Sequence, residues 1–286
     1  MERYLRVAVI NMASHADRRA ATAGLLGEAG IEFDFFPAIR GEDAISKSLF
    51  DRIDEHEFLL NTGRNITAGE IGCYASHRAL WRKCAKENRP YVIMEDDFRL
   101  LDSFEAALSV SRSIIGSAGF IRLQTDLRAK KCEVTRIDGF VLSRFTKPPH
   151  GLMCYCISPD TARRFVAATC VLVEPVDIFT KKYWDHGQPM YVLTPHAVTA
   201  STYHSTTTIT GRKKATKPLA VAAHRFLRKI GLHIRRWRFN WRLRHDRNLI
   251  ADNWLGLESA AKSAEQLMTQ PASRYNRRTS PARAVK

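Results

Sequence analysis

A chain of 286 residues with 45% hydrophobic and 26% charged residues has the composition of a folded globular protein, which excludes a disordered or fibrous one. The net charge of +16 is unevenly spread, because residues 1–210 carry 26 Lys and Arg against 25 Asp and Glu, whereas residues 211–247 carry 13 against one. The basic character therefore belongs to a C-terminal segment, and the nearly neutral body gives no support for binding nucleic acid.

The cysteines and the apolar runs indicate a cytoplasmic protein. The six cysteines form no CxxC pair, which is typical of neither a disulfide framework nor a zinc site. No stretch reaches the roughly 18 uninterrupted apolar residues that a spanning helix needs. The apolar run in MERYLRVAVINM (1–12) is too short for a signal peptide, so we predict a first strand there.

The first half of the chain alternates predicted strands and helices. The strands are predicted at 5–10, 31–36, 91–94 and 120–124, and the helices run to about residue 29, over 67–86 and from Asp102 to about residue 115. Thr67 and Glu70 have the spacing of a capping box, which predicts the start of the second of these helices. Alternation of this kind indicates a largely parallel sheet with helices on both faces.

The second half adds antiparallel strands. The segment 132–145 alternates around Asp138-Gly139, which predicts a hairpin. A strand is predicted at 151–158, with Ser158 as the N-cap and Pro159 in the first turn of a helix. With a last strand at 191–194, the sheet is expected to be mixed.

Three adjacent acids, Glu95, Asp96 and Asp97, follow the predicted strand at 91–94. Adjacent carboxylates repel one another unless a positive group lies among them, and ligands of open α/β sheets bind beyond the carboxyl ends of strands. Mg²⁺ and Mn²⁺ take carboxylate oxygens and complete their shell with water and phosphates. We predict Asp97 as a direct metal ligand, with Glu95 or Asp96 binding ribose, sugar or water. A solvated acidic turn that caps the next helix is the alternative.

The surrounding motifs resemble a known enzyme family. TAGEIGCYASHRALW (67–81) followed by VIMEDDF (92–98) is similar to the central signature of glycosyltransferase family 25, which includes lipopolysaccharide and lipooligosaccharide galactosyltransferases. The similarity extends to 7–19, to HGLMCYCISPDTARRF (150–165) and to PVD (175–177), so that it covers about residues 5–210.

The resemblance implies an α/β fold of the GT-A-like (Rossmann-like) type, a mixed sheet flanked by helices. It also implies a nucleotide-sugar donor and inversion at the anomeric carbon. Together with Mn²⁺ or Mg²⁺ at the acids, this makes transfer of galactose from UDP-galactose to a glycan of lipopolysaccharide type the leading hypothesis, and the basic segment suits a lipid-linked acceptor. Two alternatives stay open. A phosphotransferase or nucleotidyltransferase would use the same acidic strand end, although a P-loop and a DxDxT nucleophile are absent. The other alternative is a non-catalytic protein that binds a membrane surface or a nucleotide-sugar and whose acidic site is degenerate.

Glycosyl transfer needs a base, because the attacking hydroxyl is a poor nucleophile. Asp177, in the PVD turn, is the first candidate for this catalytic role. Asp185 and His186 are rival candidates. The alternative for Asp177 is that it orients the donor sugar or caps a helix after Pro175.

Several residues near the first strand and the helix 67–86 are candidates for binding the donor. Asn11 is expected to bind the base or ribose. Arg18 is expected to bind a phosphate or the uracil, and one of the two residues Arg18 and Arg19 is expected to be only a surface charge. On the helix 67–86 the candidates are Glu70, Ser76 and His77. The capping box is the alternative explanation for Glu70, and a position in the core is the alternative explanation for His77. His204, with Ser205 beside it, is a further candidate for the metal or diphosphate site.

The basic segment has a helical pattern. Over 217–247 apolar residues recur every three or four positions, with arginines and lysines between them. This pattern predicts a cationic amphipathic helix that holds a cytoplasmic enzyme on the anionic inner-membrane surface. The alternatives are a helix packed on the body and a nucleic-acid surface. The predicted division is a catalytic domain at 1–210, this basic helical tail at 211–250, and a helix followed by a disordered tail at 251–286.

Overall fold

The structure is a computed structural model that describes residues 5–125, 129–201 and 219–245. The strands are β1 Arg6–Asn11, β2 Phe33–Pro37, β3 Arg52–Ile53, β4 Tyr91–Glu95, β5 Phe98–Leu100, β6 Phe120–Arg122, β7 Lys130–Ile137, β8 Phe140–Lys147, β9 Cys154–Ile157, β10 Val171–Leu172, β11 Tyr191–Thr194 and β12 Val198–Ala200. The helices are α1 Ala16–Glu28, α2 Ala44–Ser48, α3 Glu55–Thr62, α4 Ala68–Glu87, α5 Phe104–Ala118, α6 Pro159–Ala168, α7 Val176–Lys181, α8 Tyr183–His186 and α9 Leu219–His245.

The described residues form one eight-stranded sheet, in the order β2-β1-β4-β9-β6-β11-β8-β7. The pairs β1–β2, β1–β4 and β6–β11 are parallel, and the other neighbours are antiparallel. The predicted mixed sheet is therefore confirmed. Ile10 lies opposite Glu95 in the register of β1 and β4, so the carboxyl ends of these two strands meet at one edge.

Helices cover both faces of this sheet, as the alternation predicts. Val92 and Met94 of β4 pack in a core that includes α1 and α5. Ile93, from the other face of β4, packs in a second core with Trp81 of α4 and Phe165 of α6. Burial on both faces explains why β4 is a continuous apolar run rather than an alternating one.

Local sequence patterns correctly predicted the starts of two helices and the position of one hairpin. The capping box of Thr67 and Glu70 is present at the start of α4, and the side chain of Ser158 accepts a hydrogen bond from the Thr161 amide at the start of α6. The predicted hairpin is confirmed as β7 and β8, with Asp138 at φ 47° and Gly139 at φ 79°. Both are left-handed conformations, which a two-residue hairpin turn requires.

The structure also differs from the predicted elements near the acids. The short strands β5 and β12 were not predicted, and they pair antiparallel just beyond the acidic triplet. The predicted strand 120–124 ends at Arg122, and the one at 151–158 begins at Cys154. Gly151 adopts a left-handed φ of 82°, which an extended strand excludes, so the later strand cannot begin at residue 151.

Helix α9 confirms the predicted helix at the basic segment over the residues that the structure describes. Among those residues no helix combines the length and the apolar character needed to cross a membrane. Residues 246–286 lie outside the described part, so the predicted division into 1–210, 211–250 and 251–286 stays a prediction.

Candidate active site

Asp96 is the acid of the triplet that is held most firmly. Its Oδ2 accepts a hydrogen bond from Asn11 Nδ2 at 2.7 Å, and its Oδ1 pairs with Arg18 Nη1 at 3.2 Å. Asn11 ends β1 and Arg18 lies in the first turns of α1, so the parallel pairing of β1 with β4 brings both to the acids. Three predicted donor-binding residues therefore form one cluster. Arg19 is separate, because its guanidinium lies 3.9 Å from the centroid of the Phe35 ring.

Glu95 is linked to α4 through a chain of hydrogen bonds. Trp81 Nε1 donates to the Tyr155 hydroxyl at 2.8 Å, which lies 2.9 Å from His77 Nδ1, and His77 Nε2 lies 3.3 Å from Glu95 Oε1. Burial raises the pKa of Tyr155 well above its usual value, so its hydroxyl stays protonated and donates to Nδ1. His77 Nε2 then carries the proton and donates to Glu95, which leaves every group in the chain with a partner.

Cys73 adds a thiol beside this chain. The ligand atoms of Cys73, His77 and Glu95 lie within 4.8 Å of one another. Cys73 and His77 are four residues apart on α4 and so share one helix face. Thiolate and imidazole favour zinc and other softer metals, whereas an all-oxygen site favours Mg²⁺ or Mn²⁺.

Asp97 is the acid of the triplet that has a buried oxygen, Oδ1, without a hydrogen-bond partner among the described residues. Burial, together with the charges of Glu95 and Asp96, raises the pKa of Asp97 to about 6. A buried carboxylate oxygen without a partner is costly, and a divalent cation would remove that cost. The residues present therefore fit Mn²⁺ or Mg²⁺ at Asp97, the ligand that the sequence predicts.

Asp177 lies at the start of α7 and is fixed by the loop that precedes β9. Its Oδ2 accepts hydrogen bonds from the Gly151 amide at 3.2 Å and from His150 Nδ1 at 3.4 Å. Lys181 Nζ lies 2.9 Å from His150 Nε2, so Lys181, His150 and Asp177 form a row. Burial opposes ionisation, but the hydrogen bonds and the positive neighbours outweigh it and lower the pKa of Asp177.

The Asp177 loop reaches the acidic triplet through the backbone. Two residues after Gly151, the Met153 carbonyl accepts a hydrogen bond from the Glu95 amide at 2.8 Å. The predicted base and the predicted metal ligand thus belong to neighbouring segments at one edge of the sheet.

The two rival bases have other surroundings. Asp185 Oδ1 pairs with Arg235 Nη1 of α9 at 3.0 Å, so its carboxylate serves to hold that helix. His186 is packed against the Phe165 and Phe179 rings, and burial lowers its pKa to about 4. Its Nε2 donates to the Thr180 carbonyl and its Nδ1 accepts from the Gln188 amide, which describes a satisfied core histidine.

Two further candidates on α4 have structural partners. Glu70 completes the capping box and also forms a short two-point ion pair with Arg64. The Ser76 hydroxyl donates to the Gly72 carbonyl and accepts from the Ile39 amide, which ties the segment after β2 to α4. A Cβ at Gly72 would lie 2.4 Å from the Ile39 carbonyl oxygen, so this close approach requires glycine. His204 and Ser205 lie outside the described residues.

Sequence reasoning did not single out four residues that complete the site. Tyr155 and Trp81 order His77, while His150 and Lys181 order Asp177. Tyr155 and His150 lie in the stretch 150–165 that carries the family resemblance, which was the signal available for them. Trp81 likewise ends the motif 67–81 that carries the resemblance. No local pattern marks Lys181, because its partner His150 is distant in sequence.

Comparison with known proteins gives a consistent result. A family model described as "Glycosyltransferase family 25 (LPS biosynthesis protein)" matches residues 5–180. The Neisseria gonorrhoeae "Lacto-N-neotetraose biosynthesis glycosyltransferase LgtE" is 26% identical over 212 residues, which are 69% of this chain and 74% of that protein. The Haemophilus influenzae "Lipooligosaccharide biosynthesis protein lic2B" is 29% identical over 174 residues, or 57% of this chain and 63% of that protein. The chain therefore belongs to glycosyltransferase family 25.

Proposed function

We propose that the protein is a metal-dependent, inverting glycosyltransferase that transfers a hexose onto a glycan of lipopolysaccharide or lipooligosaccharide type. The proposed donor is UDP-galactose. Membership of family 25 supports glycosyl transfer, and the names of the relatives support this class of acceptor. The observation that carries the metal dependence is the buried, unpartnered Oδ1 of Asp97, whose carboxylate is also repelled by the two acids before it, Glu95 and Asp96.

At the donor end, Asp97 would hold Mn²⁺ or Mg²⁺ together with the donor diphosphate. When bound, the ion supplies positive charge that stabilises the departing diphosphate. Asn11 and Arg18 fix Asp96, and His77 fixes Glu95, so these two carboxylates have set directions in which to bind ribose or sugar hydroxyls. Pre-set groups of this kind lower the cost of orienting the donor.

At the acceptor end, Asp177 is the proposed base. As the acceptor oxygen bonds to the anomeric carbon and the bond from that carbon to the diphosphate breaks, Asp177 takes the hydroxyl proton. The Gly151 amide and His150 hold its Oδ2, and the lowered pKa keeps the carboxylate ionised at neutral pH. Asp185 is not retained as a base in this proposal, since it pairs with Arg235.

The reaction is tested by incubating the protein with a panel of UDP-sugars and Mn²⁺ and following slow release of UDP. UDP-galactose should be hydrolysed faster than the other donors, and chelation of the metal should stop the release. Binding of UDP without turnover of any donor would favour the non-catalytic alternative. If no donor is bound, the assignment of this edge as a donor site is wrong.

We also propose that the enzyme works on the cytoplasmic face of the inner membrane. A lipid-linked glycan acceptor would be presented there, and the basic helix α9 supports attraction to anionic lipid. This location is a proposal separate from the reaction.

A further inference from the structure

Helix α9 is fixed to the body along one of its faces. Arg228 Nη1 pairs with Glu57 of α3 at 2.9 Å. Asn240 accepts a hydrogen bond from the Tyr183 hydroxyl at 3.0 Å and donates to the Thr146 carbonyl at 3.3 Å. The described part of the helix is therefore packed on the body, as one of the sequence alternatives proposed.

The opposite face of α9 exposes large apolar side chains to solvent. At 3.6 residues per turn these side chains fall within about 100° of arc, while the half-buried residues Leu232, Phe239 and Leu243 lie on the other side. We name this face the outer ridge; its members, with their exposed fractions, are Phe226 65%, Leu227 67%, Ile230 43%, Ile234 51%, Trp237 66% and Trp241 50%.

The outer ridge is unusual for this molecule. Elsewhere in the described residues the exposed large apolar side chains are single ones on separate segments, namely Leu25, Ile45 and Leu101. Isolated exposed apolar residues are normal, whereas a contiguous apolar surface marks an interaction site. The outer ridge therefore needs a partner that accepts apolar side chains.

Charge identifies the kind of partner. Exposed Lys229, Arg238 and Arg242 flank the outer ridge, and residues 219–245 include no Asp or Glu. A second copy of the chain would bring like charges together along the ridge. Nucleic acid would match the charge but would leave Phe226, Leu227 and the isoleucines in water. An anionic lipid leaflet satisfies both demands, since tryptophan and apolar side chains enter its interface and basic groups meet its headgroups.

We infer that the outer ridge of α9 docks side-on into an anionic membrane leaflet. Because the inner face of α9 is bonded to Tyr183, and α8 follows directly after the α7 helix that carries Asp177, docking holds the Asp177 side of the site near the lipid surface. This inference deepens the proposed location, but it does not depend on the proposed reaction.

The test uses the full chain with sedimenting vesicles of phosphatidylglycerol and phosphatidylcholine, compared with phosphatidylcholine alone. Wild-type protein should bind the anionic vesicles, and its tryptophan emission should shift to the blue and be quenched by brominated lipid. Trp237→Ser with Trp241→Ser should weaken partitioning by at least about tenfold and reduce the quenching. Arg238→Glu should weaken it by about fivefold or more, whereas Arg82→Glu on α4 should leave it unchanged.

A matched pair of isoleucines separates the ridge from general stickiness. Ile234 is 51% exposed on the ridge and Ile45 is 57% exposed on α2. Ile234→Ser should weaken vesicle binding, and Ile45→Ser should not. Circular dichroism and UDP affinity should match the wild type in each variant, since the changed side chains are exposed.

Three results would overturn the inference. The first is wild-type protein that stays in the supernatant with anionic vesicles. The second is ridge variants that bind vesicles as well as wild type. The third is a wild-type dimer that Trp237→Ser dissociates, which would make a second copy the partner. If the wild-type protein does not bind UDP, the proposed reaction is contradicted, and the conclusion from the vesicle experiment is unaffected.

Discussion

The end of β4 and the start of α7 each present a half-buried carboxylate to the same edge of the sheet, but the pKa values of the two carboxylates shift in opposite directions. Burial opposes ionisation at both. Asp177 has an amide, a histidine and a nearby lysine to balance its charge, so its pKa is lowered. Asp97 has two acidic neighbours and one oxygen without a partner, so its pKa rises to about 6. The comparison teaches that the fold itself balances the charge of one carboxylate and leaves the other poorly balanced, which is why our proposal puts the cation at Asp97.

The largest effect is expected at Asp97. Asp97→Ala should reduce metal-dependent glycosyl transfer, or donor hydrolysis, to the background rate, because the cation loses its protein ligand. UDP release with Mn²⁺ checks this. Asp102→Ala, an exposed acid five residues further on, is the matched control and should keep wild-type activity. Normal turnover in the Asp97 variant would remove the metal site from the mechanism.

A large but different effect is expected at Asp177. Asp177→Asn should lower kcat by about 10²–10⁴-fold, because the proton of the attacking hydroxyl loses its acceptor. UDP affinity should stay unchanged, since Asp177 is fixed by Gly151 and His150 rather than by the acidic triplet. Steady-state kinetics with calorimetry separates the two. A rise in the Kd for UDP with unchanged kcat would instead make Asp177 a donor-binding residue.

The stability of the metal-free protein should depend on Asp97 in a defined pH window. Because the pKa of about 6 in the folded protein lies above the ordinary aspartate value of 3.8, this group stabilises the fold below about pH 4 and loses that contribution as the pH rises through 6. Asp97→Asn carries no charge at any pH. It should therefore exceed the wild type at pH 8 by up to about 3 kcal/mol, a gap that closes toward pH 4.

Denaturant unfolding of both proteins across this pH range, in the presence of a chelator, measures the gap. Added Mn²⁺ should stabilise the wild type and have little effect on Asp97→Asn. If the difference in unfolding free energy between the two proteins does not vary with pH, the Asp97 carboxylate is not destabilised in the folded protein by burial and its acidic neighbours.

A smaller effect is expected from His150, whose side chain is 71% exposed. His150→Ala removes one hydrogen-bond donor to Asp177, so the pKa of Asp177 should rise. Activity needs the ionised carboxylate of Asp177. The variant should therefore lose activity on acidification at a higher pH than the wild type does. The pH profile of kcat/KM measures this, with Lys147→Gln as a control of similar location. An unchanged acidic limb would show that His150 does not act on Asp177.

The sequence was most informative where one strand or helix determines the answer. The apolar run of β4, the acids after it, the capping box of α4 and the Asp138-Gly139 turn are all local patterns, and the structure has each of them. The pairing of β5 with β12 is not local, because their partner residues are about one hundred positions apart. Its consequence, the Ser201 amide bonded to the Asp97 carbonyl at 2.8 Å, was correspondingly out of reach.

Burial and distant partners decided the candidates that sequence reasoning left open. Asp177, Asp185 and His186 are close in sequence, yet one meets the Gly151 loop, one pairs with α9, and one fills the core between two phenylalanines. For the basic segment, the structure supports the alternative of a helix packed on the body, and membrane binding stays a proposal. One face of α9 packs on the body, and the other exposes the outer ridge.

Calorimetric titration of UDP into the protein with and without Mn²⁺ tests the central claim, that the acids after β4 await a cation, most directly. We expect tight UDP binding with Mn²⁺, at least about tenfold weaker binding without it, and no metal dependence in Asp97→Ala. UDP binding of equal affinity with metal, without metal and in the Asp97 variant would contradict the account.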